Sequence, residues 1–208
     1  MPKTAEDRKR QIVTEFRRSE ILDAASKVFG TKGFDESRVD DIAAQAGLAK
    51  ATVYVYFRSK DEIYEAVMER ALAEIYARTG EAVASAASFA EKLGAFIAIR
   101  LTYWREKQDL YRVISSINRE MKNRKRSLKW QRLAVDYLIA MFTTAAERAE
   151  IPKQDFEAAA WAIMDMIRGI HERRIIQHGP HPEEEARQLT AFCLKALGYN
   201  ATSKTKTK

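Results

Sequence analysis

Apolar positions recur at helical spacing along nearly the whole chain. Ile21, Leu22, Ala24, Ala25, Val28 and Phe29 follow the i, i+3, i+4, i+7 pattern and share one helix face. Gly30 and Gly33 then stand as stop signals. Ser37, with Asp40 three residues later, resembles a capping box with a shortened acid. It opens a short helix with Val39, Ile42, Ala43 and Ala46 on one face, and Gly47 breaks that helix. Residues 49–57 predict a third helix. Ser59 with Glu62 is a cleaner capping box and starts a fourth, expected to reach about Arg78. Further helices are predicted near 87–106, 109–119, 127–149, 154–177 and 183–197, with Pro152 and Gly179-Pro180-His181-Pro182 as the plainest connections. Strand-like alternation and internal repeats are absent, so the expected fold is all-α.

Composition sharpens this picture. The 208 residues contain only 8 Gly and 4 Pro, which suits long helices and short connections. Lys and Arg number 36 against 29 Asp and Glu, a formal net charge of +7, and such an excess suits a polyanionic partner. Cys193 is the single cysteine, so an internal disulfide or a multi-cysteine metal site is ruled out. No apolar run reaches the roughly 18 residues of a membrane span, and the charged start lacks a signal-peptide core. A soluble cytoplasmic protein with no membrane partner is the expectation. Residues 1–16, with Lys3, Arg8, Lys9 and Arg10, read as a mobile basic arm or an unstructured leader, and residues 201–208 as a disordered basic tail.

Three short helices joined by tight turns, the second ended by a glycine, make a helix-turn-helix over residues 17–64. Val53 and Phe57, one turn apart, anchor the third helix to its core. The opposite face then displays Lys50, Ala51, Tyr54, Val55 and Arg58. Cations and hydroxyls suit phosphates, while small apolar groups suit thymine methyls. Packing of the tyrosines against the three-helix core is the competing reading.

The stretch Gly47-Leu48-Ala49-Lys50-Ala51-Thr52-Val53-Tyr54-Val55-Tyr56-Phe57-Arg58-Ser59-Lys60-Asp61-Glu62-Ile63 resembles the signature of the tetracycline-repressor (TetR) family. Ile21-Leu22-Asp23-Ala24-Ala25, Phe29, Lys32-Gly33-Phe34 and Val39-Asp40-Asp41-Ile42-Ala43 fit the same pattern in order and spacing. The resemblance covers residues 19–67; the remainder matches only in length and helical content. It implies an N-terminal helix-turn-helix DNA-binding domain continuing into a C-terminal helical ligand-sensing and dimerisation domain, here residues 65–200. It also implies that Lys50, Thr52, Tyr54 and Tyr56 meet phosphates or base edges, beside the Ala51 and Val55 that the helix face already offers to the DNA, that Lys60 clamps a phosphate, and that Arg38 adds a backbone contact. The implied partners are double-stranded operator DNA, a small-molecule effector and a second copy of the chain. The implied activity is that of a regulator, usually a repressor, releasing a near-palindromic operator when the effector binds. Two departures stand out: Ala49 replaces a capping serine, and Val55 replaces a residue often aromatic or His.

For residues 65–200 the bland reading is a hydrophobic core. A ligand cavity follows from the resemblance, with Phe96, Arg100, Tyr103, Trp104, Tyr111, Ile114, Trp130, Tyr137, Met141, Trp161, Asp165 and Arg168 as candidate lining. The segment 158–170 is apolar around most of its circumference, which predicts burial on more than one side. The family's last two helices form a dimer interface, and the residues placed there are Met164, Ile167, His171, Ile175, Leu189, Phe192, Cys193 and Ala196. Asp165, Arg168 and His171 sit at i, i+3 and i+6, where mutual pairing is favoured over a bridge or a ligand contact. Arg119, Lys122, Arg124, Lys125, Arg126, Lys129 and Arg132 cluster as a solvated loop or, alternatively, an anion-attracting patch.

An enzyme is the competing class. The three histidines, His171, His178 and His181, form no paired-histidine metal motif. A nucleophile elbow and a phosphate-binding glycine loop are also missing, so neither a metal nor a cofactor is expected. A DNA-binding architectural protein that senses nothing is the second alternative; a ligand-induced change in DNA affinity separates it from a regulator.

Overall fold

A computed structural model describes residues 4–117, 121–177 and 181–200. Every element among them is helical: α1 (Ala5–Lys32), α2 (Val39–Ala46), α3 (Lys50–Tyr56), α4 (Lys60–Ala84), α5 (Phe89–Glu106), α6 (Gln108–Ile117), α7 (Met121–Glu147), α8 (Phe156–Ile176) and α9 (Pro182–Ala196). No helix among the described residues is long and apolar enough to cross a membrane.

Two compact units divide the chain: Met1–Ala73 with Lys107–Glu120, and Glu74–Glu106 with Met121–Lys208. The division falls inside α4, after Ala73. It also returns α6 to the first unit, where α6 packs on α1.

The first unit corrects three expectations. Of the arm expected over residues 1–16, residues 5–16 are part of α1. The helix starts because Thr4 Oγ1 accepts the Asp7 N–H at 3.2 Å while Asp7 Oδ2 accepts the Thr4 N–H at 3.1 Å, a reciprocal cap. Gly30 does not stop α1, which runs through it to Lys32 and ends at Gly33 with φ 81°. Gly30 instead lies where α6 crosses: a Cβ there would sit 2.4 Å from Asp109 Cβ. The cap of α2 lies one residue beyond the expected one. Arg38 occupies the N-cap and Asp41 Oδ2 accepts its N–H at 2.9 Å, while Ser37 is buried and donates its hydroxyl to the Gly33 carbonyl. Burial of Ile21, Ala25, Phe29, Ile42, Val53, Phe57 and Ile63 makes one core for these helices. Phe29, Phe34 and Tyr64 add tilted and edge-on ring contacts.

In the second unit α5 packs on α9 and α8, and α7 on α8. Leu93, Phe96 and Leu101 from α5 meet Val135, Leu138 and Phe142 from α7 and Ile163 and Ile167 from α8. Here four of the expected interface residues face inward. Ile167, Leu189 and Cys193 belong to this core, and His171 is buried, so their stripe serves the unit's own packing. Segment 158–170 is also less enclosed than its composition suggests, since Ala158, Ala162, Asp165 and Arg168 are exposed in the single chain.

Candidate nucleic-acid interface

The α2–α3 turn is set by Gly47, whose φ of 67° is a left-handed conformation that a Cβ disfavours. Its N–H reaches the Ala44 carbonyl at 3.1 Å and the Leu48 N–H reaches the Ala43 carbonyl at 2.9 Å, closing α2. As Ala49 implied, α3 begins without a side-chain cap. Tertiary contacts hold it instead. Val53 is fully buried and Phe57 nearly so, which fixes the rotation of the helix about its axis. At its far end Arg18 Nη1 donates to the Tyr56 carbonyl at 2.8 Å, and its guanidinium lies 4.2 Å above the Phe57 ring. Arg18 escaped the sequence reading because its partner is a backbone carbonyl 38 residues away.

With that rotation fixed, Lys50, Ala51, Tyr54 and Val55 point outward. Tyr54 is 47% and Val55 77% exposed, unusual for side chains of their kind. Core packing is therefore not the role of Tyr54. Thr52 and Tyr56 are half-buried, and Arg38 and Arg58 are exposed. Lys50 Nζ lies 2.7 Å from Asp40 Oδ2, and this bond raises the lysine's proton affinity. Lys32 pairs with Asp41 at 2.7 Å; that bond first, then the Arg38 N–H, holds the Asp41 carboxyl below its ordinary range.

Lys60 has a different place from the expected phosphate clamp. Its ammonium donates to the carbonyls of Phe34 at 2.6 Å, Asp35 at 3.1 Å and Ser37 at 2.9 Å, and lies 4.4 Å over the Phe34 ring. Its three donors are engaged in strapping the α1–α2 loop to the start of α4. A phosphate contact from Lys60 would have to displace one of these carbonyls.

In the second unit the expected ligand residues are partly gathered. Phe96 and Tyr103 are buried, and Tyr103 donates to Glu74 at 3.1 Å. Trp104 meets Tyr103 edge-on at 5.1 Å. Tyr137 stacks on Phe96 at 5.8 Å. Tyr137 and Met141 also line a cavity of about 250 Å³ with Val83, Phe89, Lys92 and Arg148. Arg100 is 3% exposed, donates from Nη1 to Thr79 Oγ1 at 3.2 Å and to the Phe96 carbonyl at 3.3 Å, and lies 3.4 Å over the Phe96 ring. Burial pushes its pKa down to about 10, with the Tyr76 and Tyr137 hydroxyls opposing the shift. Trp130 and Trp161 are half-buried. Tyr111 lies on α6, in the first unit.

Asp165 and Arg168 pair with each other at 2.9 Å on the exposed face of α8, apart from buried His171. Of the expected interface residues, Phe192 and Ala196 are exposed and Met164 is half-buried. Ile176, 85% exposed on α8, was not foreseen. The side chains of Ile114 and Ile175 lie outside the described residues, as do Arg119, His178, the tail and the side chains of Lys122, Arg124, Lys125 and Arg126. Of the basic cluster, Arg132 is described in detail: it pairs with Asp136 at 2.8 Å and with Glu157 at 2.5 Å.

Residues 21–67 match the family model described as bacterial regulatory proteins, tetR family. The fatty acid metabolism regulator protein of Bacillus subtilis is 34% identical over 79 residues, covering 38% of this chain and 41% of its own length. The chain spans less than half the length of the first curated relatives it matches, between 28% and 45%. Solved structures match over most of their length. The TetR-family transcriptional regulator PfmR from Thermus thermophilus is 27% identical with a TM-score of 0.69, covering 84% of this chain and 97% of its own. FadR from Bacillus halodurans, 16% identical with a TM-score of 0.79 over 88% of this chain and 97% of its own, shares the fold.

Proposed function

We propose that the chain is a regulator of the tetR family, whose model its residues 21–67 match, and that it acts as a dimeric transcriptional repressor in the cytoplasm that releases a near-palindromic operator when a small molecule binds its second unit. The observation that carries this reading is the outward face of α3. Lys50, Ala51, Tyr54 and Val55 are presented to solvent by a helix whose opposite side, Val53 with Phe57 behind it, is buried. Lys50 exchanges Asp40 for a DNA phosphate, Tyr54 supplies a hydroxyl to phosphate or base edge, and Ala51 and Val55 touch thymine methyls. Two such helices in a dimer enter successive major grooves about 34–36 Å apart.

The exposed sides of α8 and α9, with Ile176, Met164, Phe192 and Ala196, form the dimer face. Ile176 and Phe192 are large apolar groups left in water by the single chain. Effector binding couples to DNA through α4, whose first half belongs to one unit and whose second half belongs to the other. Such coupling requires that effector favour one arrangement of the dimer over the other. Nothing in the site assembles an acid, a base and a nucleophile, so the role proposed is binding rather than catalysis.

Selection of bound sequences from random duplex DNA at near-physiological salt tests this function. A near-palindromic site should be enriched, with affinity falling roughly 10³–10⁵-fold between 50 and 200 mM salt if six to ten phosphates are contacted. A folded dimer that enriches no sequence, or binds with no salt dependence, refutes it.

A further inference from the structure

Among the described residues Arg100 is a buried charge whose hydrogen-bond and ring neighbours are polar and aromatic, none of them a counter-charge. It stands at the middle of α5, 3% exposed, and its partners are a hydroxyl, a carbonyl and an aromatic face. Among the described residues no carboxylate pairs with it, in contrast with Arg17, Arg70, Arg78, Arg132, Arg168 and Arg187, each of which holds an Asp or Glu. Taking a guanidinium out of water is costly unless an anion and hydrogen bonds compensate. Among the described residues the hydrogen bonds run from Nη1, which leaves the Nε and Nη2 edge, a two-donor fork shaped for a carboxylate, for another partner. Burying so poorly compensated a charge weakens the fold, and its placement makes sense if a ligand completes the pair.

The surroundings limit what that ligand is. The Phe96 ring lies directly beneath the guanidinium, and Tyr137 stacks on Phe96. Tyr137 is also a wall of the 250 Å³ cavity whose other apolar lining includes Val83, Phe89 and Met141. That volume is below the roughly 300–1,000 Å³ typical of drug-sized sites, which points to a small ligand. Arg100 is one buried cation, and of the charged groups at the cavity Glu150 offsets one of Lys92 and Arg148, a balance that suits a singly charged carboxylate.

We propose that Arg100, lying over the Phe96 ring on which Tyr137 also stacks, is the anchor for the carboxylate of a small amphipathic effector whose apolar body lies along Tyr137 and the cavity beside it. The inference rests on the reading of the second unit as the sensor. It names the effector's chemical class: a monocarboxylate with an aliphatic or aryl body.

The test uses the full chain with octanoate, octan-1-ol, octylamine and octyl phosphate as probes, measured by calorimetry and thermal melting. Octanoate should bind and raise the melting temperature, the alcohol and amine should bind at least tenfold more weakly, and octyl phosphate should not exceed octanoate. Arg100→Met should weaken octanoate about ten- to hundred-fold, the loss expected for charge-assisted bonds. It should leave the ligand-free protein at least as heat-stable as the parent, because it removes an uncompensated charge. Arg100→Lys, which keeps the charge and loses the fork, should fall between the two. The proposal is overturned by equal octanoate affinity in parent and Arg100→Met, by octan-1-ol matching octanoate, by tighter binding of octyl phosphate, or by an Arg100→Met chain that is strongly destabilised. DNA selection by the parent separates the two ideas. A chain that selects DNA but shows no Arg100-dependent binding loses the anion site and keeps the regulator; one that binds octanoate through Arg100 but selects no DNA does the reverse.

Discussion

Replacing Gly30 by alanine sets two effects of opposite sign against each other. In an exposed helix alanine is favoured over glycine by about 1 kcal/mol, so on propensity alone the substitution in α1 should stabilise. The structure opposes it. The new Cβ would lie 2.4 Å from Asp109 Cβ, 2.9 Å from Asp109 Cα and 3.1 Å from its carbonyl carbon, all on α6. Ordinary carbon contacts are about 3.5–4.0 Å, so α6 must retreat by roughly 1 Å, and it must do so as backbone. Overpacking of this kind costs typically about 1–3 kcal/mol, and the rigid neighbour puts Gly30 near the upper end. The net expectation is a loss of about 1–2 kcal/mol. Gly80 is the internal control: it is exposed on α4 with nothing within 4 Å of its added Cβ, so Gly80→Ala should gain about 1 kcal/mol. At about 2–4 °C per kcal/mol for a chain of this size, circular dichroism melts should show Gly30→Ala falling by roughly 2–8 °C and Gly80→Ala rising by roughly 2–4 °C. A rise of similar size in both variants would refute the close crossing of α1 and α6.

Other consequences are as direct. Tyr54→Ala should weaken DNA binding about tenfold or more while leaving the melting temperature within a degree or two, since the side chain is half in water; a monomeric or unfolded product would show it to be core. Burial first, then the charge of Arg174, pushes the His171 pKa down to about 4 from 6.5, with the bond to the Arg100 carbonyl opposing. The unfolded chain therefore binds the proton first: stability is full above pH 6.5, declines as pH falls from 6.5 to 4, and levels off below, a loss of about 3 kcal/mol. Urea midpoints of His171→Gln should decline less than the parent's across that window, and equal slopes would exclude His171 as the cause. Burial raises the Cys193 thiol to about 11, so iodoacetamide at pH 8 should leave the native chain unlabelled and label it in urea. Rapid labelling of the folded protein would contradict the packing of α9.

The orientation of α3 was legible in the sequence because Val53 and Phe57 sit one turn apart, and a helix buried on that side must present Tyr54 and Val55 on the other. The roles of Lys60 and Arg18 were not legible. Their partners are main-chain carbonyls at Phe34, Asp35, Ser37 and Tyr56, and since every residue carries one, no residue type marks them. The start of α1 is marked by Thr4 and Asp7, whose spacing is that of a cap, but the run of charges after them has the composition of a solvated arm and hides it.

By itself, then, the sequence determined the helices, their apolar faces and the family of the first three, because periodicity, capping and turn chemistry act between residues a few positions apart. Only the tertiary structure decided what each face meets. It showed that Gly30 is a crossing point rather than a stop, that Leu189 and Cys193 pack within their own unit while Phe192 stays outside, and that Arg100 is buried without a carboxylate. A stripe of apolar residues specifies that a surface must be covered. Which partner covers it depends on contacts between segments far apart in the chain, and those exist only once the helices have packed.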